Sequence, residues 1–362
     1  MAARAHTPDK SRPKRTPEEA GSPPGALEDY RQMLLIRRFE ERSARAYTEA
    51  KIGGYCHLNL GEEATVVGLM SALRPSDYLY TNYREHGYAL ARGIEPGRIM
   101  AELYGRSGGV SRGWGGSMHI FDREARLLGG YGIVGGQIPL ATGAAQAIHY
   151  RGGDEVVMCL MGDGTTNIGA FHESLNIAAL WGLPIVFVVI NNRLGMGTTV
   201  ERSSAEPELY RRAAAYRMPA ERVDGNDPEA VRAAAERAIL SARAGTPFLL
   251  ETLSGRLRGH SVVDPAVYRD AGEVAALREA DPVAGLRARL RETGVLDDAA
   301  DAALEAEIAG IVAAAVASAE ASPPPAVDTL FDYTYATAVA NDSRRLPGEA
   351  LYPAAPIPGA HA

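Results

Sequence analysis

Two segments of the chain, residues 155–161 and 184–190, are continuously apolar after their first residue. Such runs are typical of β-strands that are buried on both faces of a sheet. Residues 168–181, between them, predict a helix of about 14 residues, roughly 21 Å long at 1.5 Å per residue. A strand, a helix and a second strand in this order predict a parallel pair, whose carboxyl ends lie at the same edge of the sheet.

Polar residues directly follow both predicted strands. Gly162-Asp163-Gly164 comes after the first strand, and Asn191-Asn192 comes after the second. Open α/β sheets bind ligands in the crevice outside the carboxyl ends of their strands. Carboxylate and amide oxygens suit Mg²⁺ better than zinc, and phosphate oxygens commonly complete such a site. Glycines also let the backbone approach a phosphate closely. The spacing therefore predicts a magnesium–diphosphate site.

A tight turn and a dinucleotide-binding loop are the competing interpretations of these residues. Glycine and aspartate are ordinary turn residues, so Gly162-Asp163-Gly164 alone indicates little more than a tight turn. The matching asparagine pair is what favours a ligand site. A dinucleotide-binding loop would have a third glycine at Asn167 and an acidic residue at the end of the next strand, where this chain has Asn191. We therefore set the dinucleotide interpretation aside.

The rest of the pattern predicts an α/β protein with a mainly parallel sheet. Eleven glycines between residues 105 and 136 predict loops that approach a ligand and no regular element. Residues 254–269 are predicted as a long loop. The other predicted elements are helices at 26–50, 62–73, 137–150, 227–242, 271–292 and 297–320, a helix that opens within 81–86, and strands at 77–80 and 247–253.

Composition excludes several classes of protein. The chain has 362 residues, of which 46% are hydrophobic and 23% charged, enough for a large core. A net charge of −7 argues against nucleic acid as the main partner. Cys56 and Cys159 are the only cysteines and predict neither a disulfide framework nor a zinc site. No lysine follows Lys51, which excludes a Walker-type phosphate loop. No apolar run approaches about 18 residues, so we expect no membrane span.

The two ends of the chain differ in composition from the middle. Residues 1–25 are rich in Pro, Arg, Lys, Ser and Ala and lack the apolar core of a secretion signal. We therefore expect a disordered tail there and a cytoplasmic protein. Residues 26–335 are predicted as a single α/β domain that includes the C-terminal helices. Residues 336–362 are predicted as a Pro-rich extended tail.

Eight short motifs occur in an order that resembles one known family. They are Tyr55-Cys-His-Leu58, Tyr83-Arg-Glu-His-Gly87, Gly115-Gly-Ser-Met-His119, Gly132-Ile-Val-Gly135, Gly162-Asp-Gly164, Asn191-Asn-Arg193, Gly195-Met-Gly-Thr198 and Arg258-Gly-His-Ser261. From about Arg37 to Tyr335 the chain resembles the alpha subunits of the thiamine-diphosphate-dependent 2-oxoacid dehydrogenases. The resemblance implies a three-layer α/β/α thiamine-diphosphate-binding fold with a mainly parallel central sheet, and thiamine diphosphate and Mg²⁺ as cofactors.

The resemblance also implies roles for individual residues. Mg²⁺ would be bound by Asp163, by the side chain of Asn192 and by the backbone carbonyl of Leu194, where many relatives have tyrosine. The residues implied to bind the cofactor are Tyr83, Arg84, Gly132, Val134, Asp163, Gly164, Thr165, Asn192 and His260. The residues implied to act in catalysis, around the substrate and the mobile loop, are His57, His86 and His260. Ser261 matches a position that is phosphorylated in some relatives, but we expect no such regulation here.

The implied activity is the oxidative decarboxylation of a 2-oxoacid, with transfer of the acyl group to a lipoyl group of an acyltransferase partner. In this family the glutamate that faces the aminopyrimidine ring belongs to the beta subunit. We therefore expect an α2β2 heterotetramer and no turnover by this chain alone. His57 and Pro265 favour the pyruvate and acetoin branches over the branched-chain branch, with pyruvate ahead of acetoin. A non-catalytic regulatory module that keeps the metal site is a remote alternative.

Overall fold

A computed structural model describes residues 25–330 of the chain. The predicted tails, residues 1–25 and 336–362, lie outside the described residues except for Gly25. The chain divides into two units, Met1–Pro324 and Pro325–Ala362. The described part of the second unit contains the short 3-10 turn Val327–Thr329. The sheet and the helices described below belong to the first unit.

Six strands form one parallel sheet. They are β1 (Tyr78–Asn82), β2 (Leu127–Tyr131), β3 (Val157–Gly162), β4 (Ile185–Asn191), β7 (Ala220–Asp224) and β8 (Phe248–Leu253). Their order across the sheet is β2-β1-β3-β4-β8-β7, and every neighbouring pair is parallel. Two short strands, β5 (Leu194–Gly195) and β6 (Thr198–Thr199), form a separate antiparallel hairpin. The predicted mainly parallel sheet is confirmed.

Helices cover both faces of this sheet. The helices of the described residues are α1 (Ala26–Thr48), α2 (Glu63–Ala72), α3 (His86–Ala91), α4 (Pro96–Leu103), α5 (Gln137–Arg151), α6 (Gly169–Trp181), α7 (Val200–Ser203), α8 (Pro228–Arg243), α9 (Ala271–Glu279), α10 (Pro282–Glu292) and α11 (Asp298–Ala321). The element α6 connects β3 to β4, which is the strand–helix–strand unit predicted from the two apolar runs.

The alternation of side chains along β3 explains why its sequence is apolar throughout. Met158 and Leu160 pack in the cluster that contains the buried residues of α1, α2, α4 and α8. Val157, Cys159 and Met161 pack in a second cluster with the buried residues of α5 and α6. Successive side chains of a strand point to opposite faces, so a strand between two helical layers needs apolar residues at every position. The three-layer α/β/α fold is therefore confirmed.

Two predictions from local pattern were wrong. The glycine-rich segment contains a strand, β2, whose pairing with β1 shifts in register between Leu79 and Thr81. Gly129 in this strand adopts a φ of +102°, and Gly130 lies against the Glu85 carboxyl, where a Cβ would approach within 2.0 Å. The helix predicted over residues 271–292 is instead two helices, α9 and α10. Asp281 caps the second one by accepting a hydrogen bond from the Val283 N–H at 2.9 Å, and Pro282 opens its first turn.

One helix also corrects the expectation about apolar runs. Within residues 25–330, α11 alone has the length and apolar composition that would suffice to cross a membrane. A helix that packs in a protein core passes the same test. Ile308, Val312, Ala315 and Ala319 of this helix are buried in the same cluster as the apolar residues of α1 and α4. Packing within the fold therefore accounts for these buried residues, while 22% of the apolar window of α11 is buried in all.

Candidate cofactor site

The three residues predicted to bind Mg²⁺ lie at the carboxyl ends of the two central strands. Asp163 follows β3 and opens a 3-10 turn, and Asn192 follows β4. Their strands are paired, with Gly162 opposite Ile190. Leu194 begins the hairpin that continues from β4. The two loops touch, since a Cβ at Gly164 would lie 3.7 Å from the Gly195 Cα.

Asp163 is buried, and within residues 25–330 its carboxyl forms no ion pair. Its residue is 5% exposed. Burial raises the pKa of its carboxyl to about 6, although the N–H groups of Asp163 and Gly164 and the nearby Arg256 favour the charged form. A carboxylate in this position costs free energy unless a cation binds it. The donor chemistry at this point therefore fits a metal ion.

Asn192 and Leu194 supply neutral oxygens on the loop that follows β4. The Asn192 Nδ2 donates to Glu62 Oε1 at 3.1 Å, and its Oδ1 accepts from the Leu194 N–H at 3.3 Å. The carbonyl of Leu194 accepts from Arg256 Nη1 at 3.3 Å. Among the described residues, no group of three or more His, Cys, Asp or Glu side chains could hold a metal. The residues present therefore fit a hard cation completed by phosphate oxygens, and not zinc.

Two arginines border this region. Arg84 is buried, and its guanidinium donates to the Leu58 carbonyl and, at 3.1 Å, to the His260 carbonyl. Arg256 is only 1% exposed and donates to the Met196 carbonyl at 2.9 Å as well as to Leu194. These contacts tie the loops after β1, β4 and β8 together. The two guanidinium groups also supply positive charge that could bind a diphosphate.

Arg256 and Glu62 were not predicted as site residues. Arg256 follows β8, the neighbour of β4, so its position beyond the carboxyl end of a central strand was the available signal. Glu62 gives no such signal, because it directly precedes α2 and reaches Asn192 across 130 residues of sequence. Only the tertiary fold brings it to the site.

Two of the three predicted catalytic histidines lie together with Tyr83. The ring centroids of His57 and Tyr83 are 4.4 Å apart, and those of His57 and His260 are 5.0 Å apart. The Nδ1 atom of His57 is buried and has no hydrogen-bond partner within residues 25–330. An orphaned buried nitrogen of this kind is available to a polar group of a ligand.

His86 is held by other protein groups. It is fully buried, and its Nδ1 lies 2.9 Å from Glu40 Oε2, while its Nε2 lies 2.9 Å from Ser117 Oγ. Both ring nitrogens are therefore occupied by protein partners. The structure gives no support to the prediction that His86 acts directly on the substrate. Its contacts instead link α1, α3 and the glycine-rich segment around Ser117.

The remaining predicted cofactor residues differ in exposure. Thr165 is buried directly after Gly164, which is exposed. Gly132 lies close to His119, whose ring a Cβ would approach within 3.4 Å. Val134 is 49% exposed and its neighbour Ile133 is 77% exposed, both on the segment that leads into α5. Two apolar side chains next to Gly132 are therefore accessible to solvent.

The histidine pair should be neutral across the physiological pH range. Burial, with Arg84 nearby, lowers the pKa of His57 to about 3 and that of His260 to about 4. We expect their protonation to affect kcat/KM only below about pH 5. An unperturbed histidine, with a pKa of about 6.5, would show its effect at a higher pH. The measurement is a pH profile of the assembled enzyme between pH 4.5 and 8. A break near pH 6.5 that disappears in His57→Gln would contradict this assignment.

The comparisons with known proteins agree with the fold. The family model described as Dehydrogenase E1 component matches residues 31–328. This chain therefore belongs to the dehydrogenase E1 component family, as the motifs predicted. It is similar to the pyruvate dehydrogenase E1 component subunit alpha of Rhizobium meliloti (strain 1021), with 47% identity over 307 residues that cover 84% of this chain and 88% of the relative.

Two further relatives are also named as alpha subunits of a pyruvate dehydrogenase E1 component. The pyruvate dehydrogenase E1 component subunit alpha of Zymomonas mobilis is 46% identical over 308 residues, which cover 84% of this chain and 87% of the relative. The chloroplastic subunit alpha-3 of Arabidopsis thaliana is 41% identical over 317 residues, which cover 86% of this chain and 74% of the relative. Bacterial and plastid proteins thus occur among the relatives, so the comparisons do not fix one compartment.

Proposed function

We propose that this chain is the alpha subunit of an acetyl-transferring pyruvate dehydrogenase that binds thiamine diphosphate and Mg²⁺ and works with a beta subunit. The observation that carries the proposal is the buried Asp163 at the end of β3, next to the loop of Asn192 and Leu194. The names of the relatives supply the substrate, pyruvate, and favour it over acetoin and branched-chain 2-oxoacids. We further propose a cytoplasmic location, supported by the bacterial relatives.

The residues at the carboxyl edge of the sheet would hold the cofactor. Asp163, Asn192 and the carbonyl of Leu194 would bind the metal, which neutralises the diphosphate. Tyr83, Arg84, Gly164 and Thr165 would lie along the diphosphate, and Gly132 and Val134 would contact the organic part. When bound, thiamine diphosphate supplies the electron sink for decarboxylation. The chain's own contribution is to bind, orient and shield it.

The histidine cluster would contact the substrate. His57 and His260 are held neutral by burial and by the neighbouring arginines, so each ring can donate one hydrogen bond and accept another. The free Nδ1 of His57 is the atom best placed to hold or exchange a proton with a bound polar group. His86 would act only through its contacts with Glu40 and Ser117.

The exposed apolar side of the crevice supports the need for a partner. Ile133 and Val134 remain largely exposed next to residues that would hold the cofactor. A catalytic site must exclude water to strengthen its electrostatic interactions. We propose that the beta subunit covers this side in an α2β2 assembly and supplies the glutamate that faces the aminopyrimidine ring. The acyl group would then pass to a lipoyl group of the acyltransferase partner.

Comparing the isolated chain with the reconstituted pair tests this proposal. The chain alone should decarboxylate pyruvate at least about 100-fold more slowly than the complex, because the proton-transfer glutamate of the beta subunit would be missing. Dye reduction should be measured in parallel with pyruvate, acetoin and 3-methyl-2-oxobutanoate. Pyruvate should give the highest kcat/KM. Robust turnover by the isolated chain, or a preference for another substrate, would refute the corresponding part of the proposal.

A further inference from the structure

Glu62 is a buried carboxylate at the edge of the proposed metal site. It immediately precedes α2, and its side chain is only 3% exposed. It is not among the residues that would bind the cofactor or the metal. A carboxylate in so buried a position requires hydrogen-bond donors around it, so its neighbours indicate what it does.

Three nitrogen groups surround the two oxygens of Glu62. Asn192 Nδ2 donates to Oε1 at 3.1 Å, and Asn59 Nδ2 donates to Oε2 at 3.3 Å. The Nε of Arg84 lies 3.8 Å from Oε2. Each oxygen thus faces its own amide, and the Arg84 guanidinium stands nearer the oxygen that Asn59 contacts.

The orientation of Asn59 is fixed independently of Glu62. Its Oδ1 accepts from the Gly87 N–H at 3.0 Å, so its Nδ2 must point the other way, towards Glu62. The backbone N–H of Asn59 is also held, by Glu40 Oε1 at 2.9 Å. Since Asn59 occupies Oε2, Oε1 of Glu62 is presented to Asn192.

We propose that Glu62 is a positioning residue that sets the orientation of the Asn192 amide for metal binding. A carboxylate only accepts hydrogen bonds, so the NH₂ group of Asn192 must face Glu62. The Asn192 oxygen is thereby turned towards the N–H of Leu194, whose carbonyl is another proposed ligand. This inference rests on the proposed function, because it assigns Glu62 a task at the same site.

The two orientations of an amide have nearly the same shape, so hydrogen bonds alone choose between them. Without Glu62, Asn192 could turn its NH₂ group towards the cation. An amide NH₂ group does not act as a metal ligand. Residues that orient a metal ligand through a hydrogen bond commonly contribute to metal affinity. Their loss weakens metal binding about 10- to 100-fold. Glu62 should therefore matter for metal affinity although it does not itself touch the metal.

A matched pair of substitutions separates the effect of the Glu62 oxygen that accepts a hydrogen bond from Asn192 from the effect of the Glu62 charge. Glu62→Met keeps the length of the side chain but removes both oxygens. Glu62→Gln removes the charge and keeps one oxygen for Asn192, while Asn59 Nδ2 retains the Arg84 carbonyl at 3.4 Å as an acceptor. Both variants lose the charge near Arg84 equally. Any difference between them therefore reports the hydrogen bond to Asn192 and not the charge.

The measurement is the affinity for Mn²⁺ in the presence of thiamine diphosphate, read from the electron paramagnetic resonance signal of free Mn²⁺. The protein is the complex assembled with its beta subunit. Glu62→Met should bind Mn²⁺ about 10- to 100-fold more weakly than wild type. Glu62→Gln should stay within about fivefold, since a neutral acceptor forms a weaker hydrogen bond than a charged one. If Glu62→Met fails to assemble, Glu62→Ala replaces it.

The outcomes separate this inference from the proposed function. A wild-type complex that binds no Mn²⁺ with the cofactor would refute the proposed function itself. Normal wild-type binding with unchanged affinity in Glu62→Met would overturn the positioning role alone. An equal loss in Glu62→Gln and Glu62→Met would overturn it as well, because charge and not the acceptor would then be what matters. In an Asn192→Ala background, Glu62→Met should cause little further loss, because both act through one ligand.

Discussion

Asp163→Ala should weaken the Mg²⁺-dependent binding of thiamine diphosphate by about 100-fold or more, since even the partners that merely orient metal ligands contribute 10- to 100-fold. Asp163 supplies the only negative charge among the three proposed ligands. Asn192 and the Leu194 carbonyl are neutral and cannot replace it. Isothermal titration of the α–β complex with cofactor, at saturating and at zero Mg²⁺, measures the effect directly.

The substitution should leave the fold intact. Burial raises the pKa of Asp163 to about 6, so the carboxylate that predominates at pH 7 costs more free energy in the folded metal-free protein than in the unfolded chain. Removing it should therefore keep or slightly raise the thermal midpoint of the metal-free complex. Asp224→Ala is the matched control, an exposed carboxylate at the end of β7 on the same edge of the sheet. Equal cofactor affinity in Asp163→Ala and Asp224→Ala would place the metal elsewhere.

The centre of the site could be predicted from sequence because its signal is local. The apolar runs of β3 and β4 are buried on both faces, which makes them recognisable without any knowledge of the rest of the fold. The polar residues that end them, Asp163 and Asn192, follow at once in the chain. The right-handed crossover of a parallel pair then brings both loops to one edge. No tertiary information is needed for this step.

The surroundings of the site could not be predicted in this way. Glu62 contacts Asn192 from 130 residues away, and Arg256 contacts Leu194 from 62 residues away. Arg256 at least follows a central strand, but no local pattern distinguishes Glu62 from a solvated charge. For His86 the motif predicts a role in catalysis, and the structure adds that Glu40 and Ser117 contact its two ring nitrogens. Burial and long-range contacts decide these roles.

The glycine-rich segment illustrates a different limit. Glycine disfavours regular structure, and this preference led to the prediction of loops throughout residues 105–136. At β2 the tertiary fold overrides it. Gly130 must lie against the buried Glu85 carboxyl, where no side chain fits, and the strand completes the edge of the sheet beside β1. Glycine in β2 therefore permits both the close packing at Gly130 and the positive φ at Gly129.

Arg37→Met should destabilise the chain by about 3–5 kcal/mol, the usual cost of removing one partner of a buried ion pair. Arg37, on α1, donates to Glu63 Oε1 at 2.6 Å and to both oxygens of Asp281 at 2.7 and 3.0 Å. It thus joins α1, α2 and the N-terminus of α10. Glu63 is fully buried, and burial raises its pKa even with Arg37 present. Without Arg37 its carboxyl would lose the cation that offsets burial.

Thermal unfolding of the α–β complex measures this effect, and two variants define its cause. The midpoint should fall by roughly 5 °C or more in Arg37→Met. Arg38→Met is the control on the same helix, because its pairs with Glu41 and Glu305 are half-exposed and should contribute only about 0–1 kcal/mol. Adding Glu63→Gln to Arg37→Met should recover part of the loss, since the buried charge is then absent. Equal midpoints for Arg37→Met and Arg38→Met would mean that the buried network does not hold these helices together.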